Sequence, residues 1–139
     1  MKNLTACLSL AVFCFLSTIA FSQTTFTGSN SEIWADAGNW DNGLPAVGND
    51  AIIPDGLSII NKGNITNAGT ITNHGTINNV GTITNAGTIT NDGTIVNGGD
   101  ILNNGDIDNL GYILNGGTIN NDGSWTGDYY WIKQDIPKK

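Results

Sequence analysis

Between Leu57 and Asp128 the chain repeats a six-residue unit twelve times without an insertion, and ten of the units read Gly-Xaa-Ile-Xaa-Asn-Xaa, with Thr the commonest residue at the second and fourth places. Isoleucine holds the third place at 59, 65, 71, 77, 83, 89, 95, 101, 107, 113 and 119, and Trp125 takes it in the last unit. Asparagine holds the fifth place from Asn61 to Asn121 and gives way only at Gly127, while glycine opens every unit from Gly63 to Gly123. A period of six is a multiple of two but not of 3.6, so a recurring apolar place keeps to one side of a strand and wanders around a helix. The β-branched Ile and Thr suit strands, whereas a Gly and an Asn in every unit weigh against a helix. Each unit is therefore predicted to be a short strand with a corner. The composition follows from the repeat, since 19 Gly, 20 Asn, 16 Thr and 18 Ile make up more than half of the 139 residues.

In the pleat, each Ile is expected to face inward and the Thr on either side outward. The Asn two places on also faces in or sits at the bend, where Gly permits the backbone to turn. One strand cannot bury a single Ile, so the units must wind into a solenoid in which like places stack. Burial of each Ile contributes about 1.5–3 kcal/mol. Stacked Asn amides can hydrogen-bond along the axis and so avoid about 1–3 kcal/mol for each polar group otherwise buried unpaired. The predicted core is Ile65, Ile71, Ile77, Ile83, Ile89, Ile95, Ile101, Ile107, Ile113 and Ile119, with Asn67, Asn73, Asn79, Asn85 and Asn91 as a structural ladder.

The outward places choose the number of units per coil. At a spacing of 18, Ile60, Asn78, Val96 and Leu114 fall in one column and Thr72, Thr90, Asp108 and Thr126 in another. Columns of different character are what separate faces produce. The predicted fold is thus all-β, a triangular parallel β-helix (β-solenoid) with three hexads per coil and four coils, about 19 Å tall at about 4.8 Å per rung; two hexads per coil would instead give a flat, two-sided form. The hexad with one recurring aliphatic resembles the left-handed β-helix of hexapeptide acyltransferases. Their pattern places a small or acidic residue directly after the aliphatic one, where Thr dominates here, so the hand of the coil stays open at this point.

The flanks differ from the repeat. Residues 1–22 combine Lys2, an apolar stretch from Leu8 to Phe21 and small residues at Ala20 and Ser22, the pattern of a secretory signal peptide cleaved after Ser22. The apolar run is too short for the roughly 20 residues that span a bilayer. Both cysteines, Cys7 and Cys14, lie in this segment, and Leu4-Thr5-Ala6-Cys7 precedes the apolar run instead of following it, which argues against lipidation. Residues 23–56, with Trp34, Asn39-Trp40, Gly43, Pro45 and Asp50-Ala51-Ile52-Ile53-Pro54, form an expected entry segment that caps the solenoid. This arrangement resembles the entry segment of secreted bacterial β-helix and autotransporter-like surface proteins. Together with the signal segment ending Phe21-Ser22-Gln23, the resemblance implies a Bacteroidetes-like envelope or secreted protein. After the repeats (57–128), residues 129–139 bring Tyr129, Tyr130 and Trp131 and a polar tail. Aromatics of this kind are expected to lid the last coil, with carbohydrate stacking as the other reading.

Charge and chemistry exclude several functions. The chain has 12 acids, 5 Lys and no Arg. Cleavage removes Lys2 and no acid, so the exported chain has 4 Lys against 12 acids, a formal charge of −8. Four dispersed lysines cannot form the basic stripe that a phosphate backbone requires, so nucleic acid is not an expected partner. With one His and no mature Cys, a zinc site or a Cys-His pair is unavailable. His74 occupies a variable sixth place and is expected to face outward. Asp100, Asp106 and Asp108 offer carboxylates but no cleft for paired acid–base work. Calcium needs 6–8 oxygens, and scattered acids on a β-face more readily keep a protein soluble. No enzyme activity, cofactor or metal is expected, nor a transmembrane span in the mature chain.

The outward threonines are the sharper feature. Thr70 and Thr72, Thr82 and Thr84, and Thr88 and Thr90 each flank an inward Ile. On an 18-residue coil the first and third pairs stack, and their columns continue through Asp106 and Asp108 to Ser124 and Thr126. Such Thr-Xaa-Thr ranks resemble the ice-binding surface of several antifreeze proteins, which makes these six residues candidates for surface binding. The leading expectation is a non-catalytic secreted or cell-surface solenoid with a structural or adhesive role. Ice binding and self-assembly into an extracellular fibre are the alternatives, so the partners to consider are a glycan, ice or another copy of the chain.

Overall fold

The structure is a computed structural model that describes residues 22–127. The expected signal segment up to Phe21, with Cys7 and Cys14, and the expected lid at 129–139 lie outside the described residues.

The repeat forms one four-residue strand per hexad, each beginning at the second place of its unit. In chain order the strands are β1 (Thr24–Thr25), β2 (Ala51–Ile53), β3 (Ser58–Asn61), β4 (Asn64–Asn67), β5 (Thr70–Asn73), β6 (Thr76–Asn79), β7 (Thr82–Asn85), β8 (Thr88–Asn91), β9 (Thr94–Asn97), β10 (Asp100–Asn103), β11 (Asp106–Asn109), β12 (Tyr112–Asn115), β13 (Thr118–Asn121) and β14 (Ser124–Gly127). Every third strand pairs in parallel. Face 1 runs β1-β2-β5-β8-β11-β14, face 2 runs β4-β7-β10-β13, and face 3 runs β3-β6-β9-β12. Within the repeats each residue sits beside the residue 18 positions away, as Ile71 beside Ile89 and Ile89 beside Ile107. The expected three-sided parallel solenoid of about four coils is what forms.

The in–out assignment follows the pleat. Ile59 to Ile113, taken at every sixth residue, are at most 4% exposed, and the ladder asparagines from Asn61 to Asn109 are buried with them. The Thr places beside Ile71, Ile83 and Ile89 are half-buried on the outside. From Asn73 to Asn103 each ladder amide donates three ways. The Nδ2 of Asn85 donates to Oδ1 of Asn103 (2.7 Å), to the carbonyl of Gly87 at its own corner (3.1 Å) and to the carbonyl of Asp106 on the next coil (3.0 Å). The same side-chain chain runs Asn61 to Asn79 to Asn97 to Asn115, and Asn73 to Asn91 to Asn109, at 2.6–2.8 Å per step. Asn supplies two donors and an acceptor in one short side chain, so a single residue type closes the corner and joins it to the coil above.

The role of the opening glycine differs from the expected turn. No hexad-opening glycine has a positive φ; among described glycines that conformation occurs only at Gly28, Gly43, Gly48, Gly56 and Gly127. What excludes a side chain is the coil beneath. A Cβ on Gly99 would lie 2.0 Å from the carbonyl oxygen of Gly81, and one on Gly93 would lie 2.1 Å from that of Gly75. Corners therefore stack backbone on backbone.

The N-terminal segment caps this stack by extending it. β2 continues face 1 beneath β5, with Ala51 under Ile71 and Ile53 under Asn73, a step of 20 residues instead of 18. β1 pairs beneath β2, and Ile33 forms a parallel bridge to Ile60 under face 3. Phe26, Trp34 and Trp40 fill the closed end, with Trp40 edge-on to both partners at centroid distances of 5.4 and 4.9 Å. Trp40 Nε1 donates to the carbonyl of Trp34 at 2.9 Å, which satisfies its one polar atom. Buried Asn39, at the end of a 3₁₀ turn (Ala37–Asn39), accepts from the N–H groups of Asn30 and Ser31 and donates to Ser31 Oγ and the Ile33 carbonyl. The Asn39-Trp40 pair is thus a structural clasp. Hydrogen bonds from the Ser31 hydroxyl, the Asn30 amide and the Gly38 N–H hold the Asp36 carboxyl below the usual carboxylate range. Asp41 is held low mainly by the Thr25 N–H at 2.7 Å.

Candidate functional site

With Ile and Asn committed to the core, any binding falls to the outward places, the corners and the cap. Face 1 carries the densest threonine array. Thr70 sits beside Thr88 and Thr72 beside Thr90, both pairs half-buried and pointing outward. The array is two rungs deep. Asp106 and Asp108 border it above, Ile52 lies below Thr72, and the Asp50 carboxylate accepts the Thr70 N–H at 2.8 Å. Thr82 and Thr84 do not join it. They lie on face 2 between Asn64 and Thr66 on one side and Asp100 and Leu102 on the other.

The candidate carboxylates are likewise divided. Asp100 is on face 2 and Asp106 and Asp108 on face 1, and Asp108 accepts a hydrogen bond from the Thr126 hydroxyl at 2.9 Å. Among the described residues no three His, Cys, Asp or Glu side chains come together as metal ligands. No helix of the described residues is long and apolar enough to cross a membrane.

Among the described residues the flat faces are interrupted by concavities at two places. The first, about 290 Å³, lies where the cap meets the first coil and is lined by Trp34, Leu44, Val47, Ile65 and Asn67 among others. It arises because β4 is the lowest strand of face 2, with the loop around residues 44–49 beneath it instead of another strand. The second, about 420 Å³, runs along the corner between faces 1 and 3. Asp55 lies among its lining residues together with His74 and Asp92, and Tyr112 lines it as well. His74 Nδ1 lies 3.2 Å from Asp92 Oδ2, both side chains being partly exposed.

His74 does face outward, as its variable place suggests, but the sequence reading missed its partner. The signal was present: His74 and Asp92 occupy the same place one coil apart, 18 residues. Tyr112 was missed for a similar reason. Among the described residues it is the last of a column of Ser58, Thr76 and Thr94, where a large ring replaces short hydroxyl side chains. Comparison with protein-family models, with curated proteins and with solved structures finds no match to this chain.

Proposed function

We propose that this chain is a non-catalytic, secreted or cell-surface β-solenoid with a structural or adhesive role, of the bacterial envelope type that its entry segment resembles. The observation that carries this reading is the division of labour along the hexad. Ile and Asn lock successive coils together from inside, and most of the remaining strand places present short polar side chains on flat faces in register, Leu102 and Tyr112 being exposed exceptions. A scaffold of this kind repeats surface contacts at a fixed spacing, which suits attachment to extended partners. The acidic balance leaves such a surface soluble and disfavours polyanions. The test is to produce the exported chain, residues 23–139 by the expected cleavage, and measure its binding to bacterial cells, to a glycan array and to itself. Binding in any of the three supports the role; failure in all three removes it.

Ice binding is the second reading, and the in-register square of Thr70, Thr72, Thr88 and Thr90 favours it. Ice crystals grown with the exported chain are expected to be faceted, and Thr72→Tyr with Thr90→Tyr to abolish the effect. Unchanged ice shaping in that double variant would take this face out of consideration.

A further inference from the structure

The corner groove between faces 1 and 3 combines features that the flat faces lack. Its lining repeats along the coil axis, since Ser58, Thr76, Thr94 and Tyr112 are stacked on four successive rungs. At about 4.8 Å per rung, three steps span about 14 Å. A pyranose unit in a linear glycan is close to one rung in length, so a chain laid along the axis meets a hydroxyl at each step. On the fourth of these rungs Tyr112 is 57% exposed, an aromatic ring at a place that its column otherwise fills with Ser or Thr among the described residues. Flanking this column, the Asp92 carboxylate is oriented by His74 Nδ1 at 3.2 Å and retains acceptor capacity.

We infer that this groove is a carbohydrate subsite for a short, linear, neutral glycan. Tyr112 supplies a flat ring on which the C–H face of a sugar packs. Ser58, Thr76 and Thr94 both donate and accept, as sugar hydroxyls require, and Asp92 accepts from a hydroxyl pair. A few convergent polar groups beside an aromatic surface are the usual means of fixing ligand orientation. Among the described residues no Lys lines the groove and two carboxylates do, Asp55 and Asp92, so sulfated or phosphorylated glycans are disfavoured. This inference rests on the adhesive reading and names the ligand class for it.

The experiment titrates the exported chain with β-1,4-linked gluco- and manno-oligosaccharides of tetra- to hexasaccharide length. Alongside the unmodified chain it uses Tyr112→Ala, Asp92→Asn and, as a control on face 2, Thr118→Ala. Melting curves report whether each variant is folded, and a cell-adhesion assay runs in parallel. At least one neutral series is expected to bind, with Kd raised tenfold or more by Tyr112→Ala, severalfold by Asp92→Asn, and unchanged by Thr118→Ala. Equal binding by folded Tyr112→Ala, or preference for sulfated over neutral oligosaccharides, overturns the assignment. Adhesion to cells without binding any oligosaccharide overturns the groove while the adhesive role stands. Loss of both removes both.

Discussion

The middle of the stack and its two ends carry the same letters under different physical demands. Gly99 and Gly63 both open a hexad, yet a Cβ on Gly99 would meet the Gly81 carbonyl at 2.0 Å and one on Gly63 would meet nothing within 4 Å. Gly63 has no coil below it. The asparagines show the reverse dependence. Asn91 is buried between Asn73 and Asn109, while Asn121, on the last coil, is exposed. At the base of its column Asn73 has Ile53 beneath it, and its Oδ1 is buried with no hydrogen-bond partner. Glycine answers to the coil below and asparagine to its neighbours on both sides. The repeat thus encodes contacts between coils, and a unit's tolerance to change depends on which neighbours it has.

Substitutions can break or sharpen that comparison. The largest effect is expected for Ile89→Asp, which replaces a fully enclosed apolar side chain with an unpaired carboxyl and should cost more than about 4 kcal/mol, enough to unfold the central coils. Its neighbour Thr90→Asp points outward beside Asp108, so only a like-charge penalty of about 0.2–1 kcal/mol is expected. Denaturant melts of the two variants check this, and equal tolerance would overturn the in–out assignment.

Next is the glycine pair. Gly99→Ala forces two backbones apart and should reach or exceed the upper end of the about 1–3 kcal/mol that overpacking costs. Adjacent Gly98, whose Cβ would lie 3.7 Å from the nearest atom, and end-of-stack Gly63 should accept Ala within about 0.5 kcal/mol. Similar melting of all three would mean that glycine is required by its backbone conformation instead of by close approach.

The ladder is expected to divide in the same way with smaller effects. Asn91→Ala removes the Asn73-to-Asn91 and Asn91-to-Asn109 hydrogen bonds; Asn73 Nδ2 keeps the Gly75 and Thr94 carbonyls, so a total of about 1–3 kcal/mol is expected. Asn121→Ala, at the exposed end, should cost a few tenths, as water replaces what is lost.

Acid should produce the smallest effect, and in the cap. The folded-state pKa values of Asp36 and Asp41 are lowered, so their contribution is present at neutral pH and is lost as pH falls through them, from about pH 4 downward. Tryptophan fluorescence should change in that range before the strand signal in far-UV circular dichroism does. A simultaneous change would place the acid-sensitive contacts in the coils.

Much of this was legible in advance because a hexad states its own period. The inward Ile, the Asn ladder and the 18-residue coil all follow from places that recur without interruption. The role of Gly99 was not legible, because a turn and a close approach both select glycine and only the neighbouring coil distinguishes them. The His74–Asp92 pair and the Tyr112 platform were readable only after aligning the chain by coils instead of by hexads. The entry segment lacks the period altogether, so the 20-residue step from Ala51 to Ile71 and the clasp around Asn39 emerge from packing alone.

The central claim is that one coil is three hexads, and cross-linking tests it directly. Residues 23–139 contain no cysteine, so paired substitutions can be read without background. Thr72→Cys with Thr90→Cys places two thiols on adjacent rungs of one face, about 4.8 Å apart along the axis. Thr72→Cys with Thr84→Cys, two hexads apart, places them on different faces. A short thiol-bridging reagent is predicted to link the first pair within one molecule and to leave the second unlinked. Efficient linking of the second pair and not the first would mean two hexads per coil, and would contradict the account.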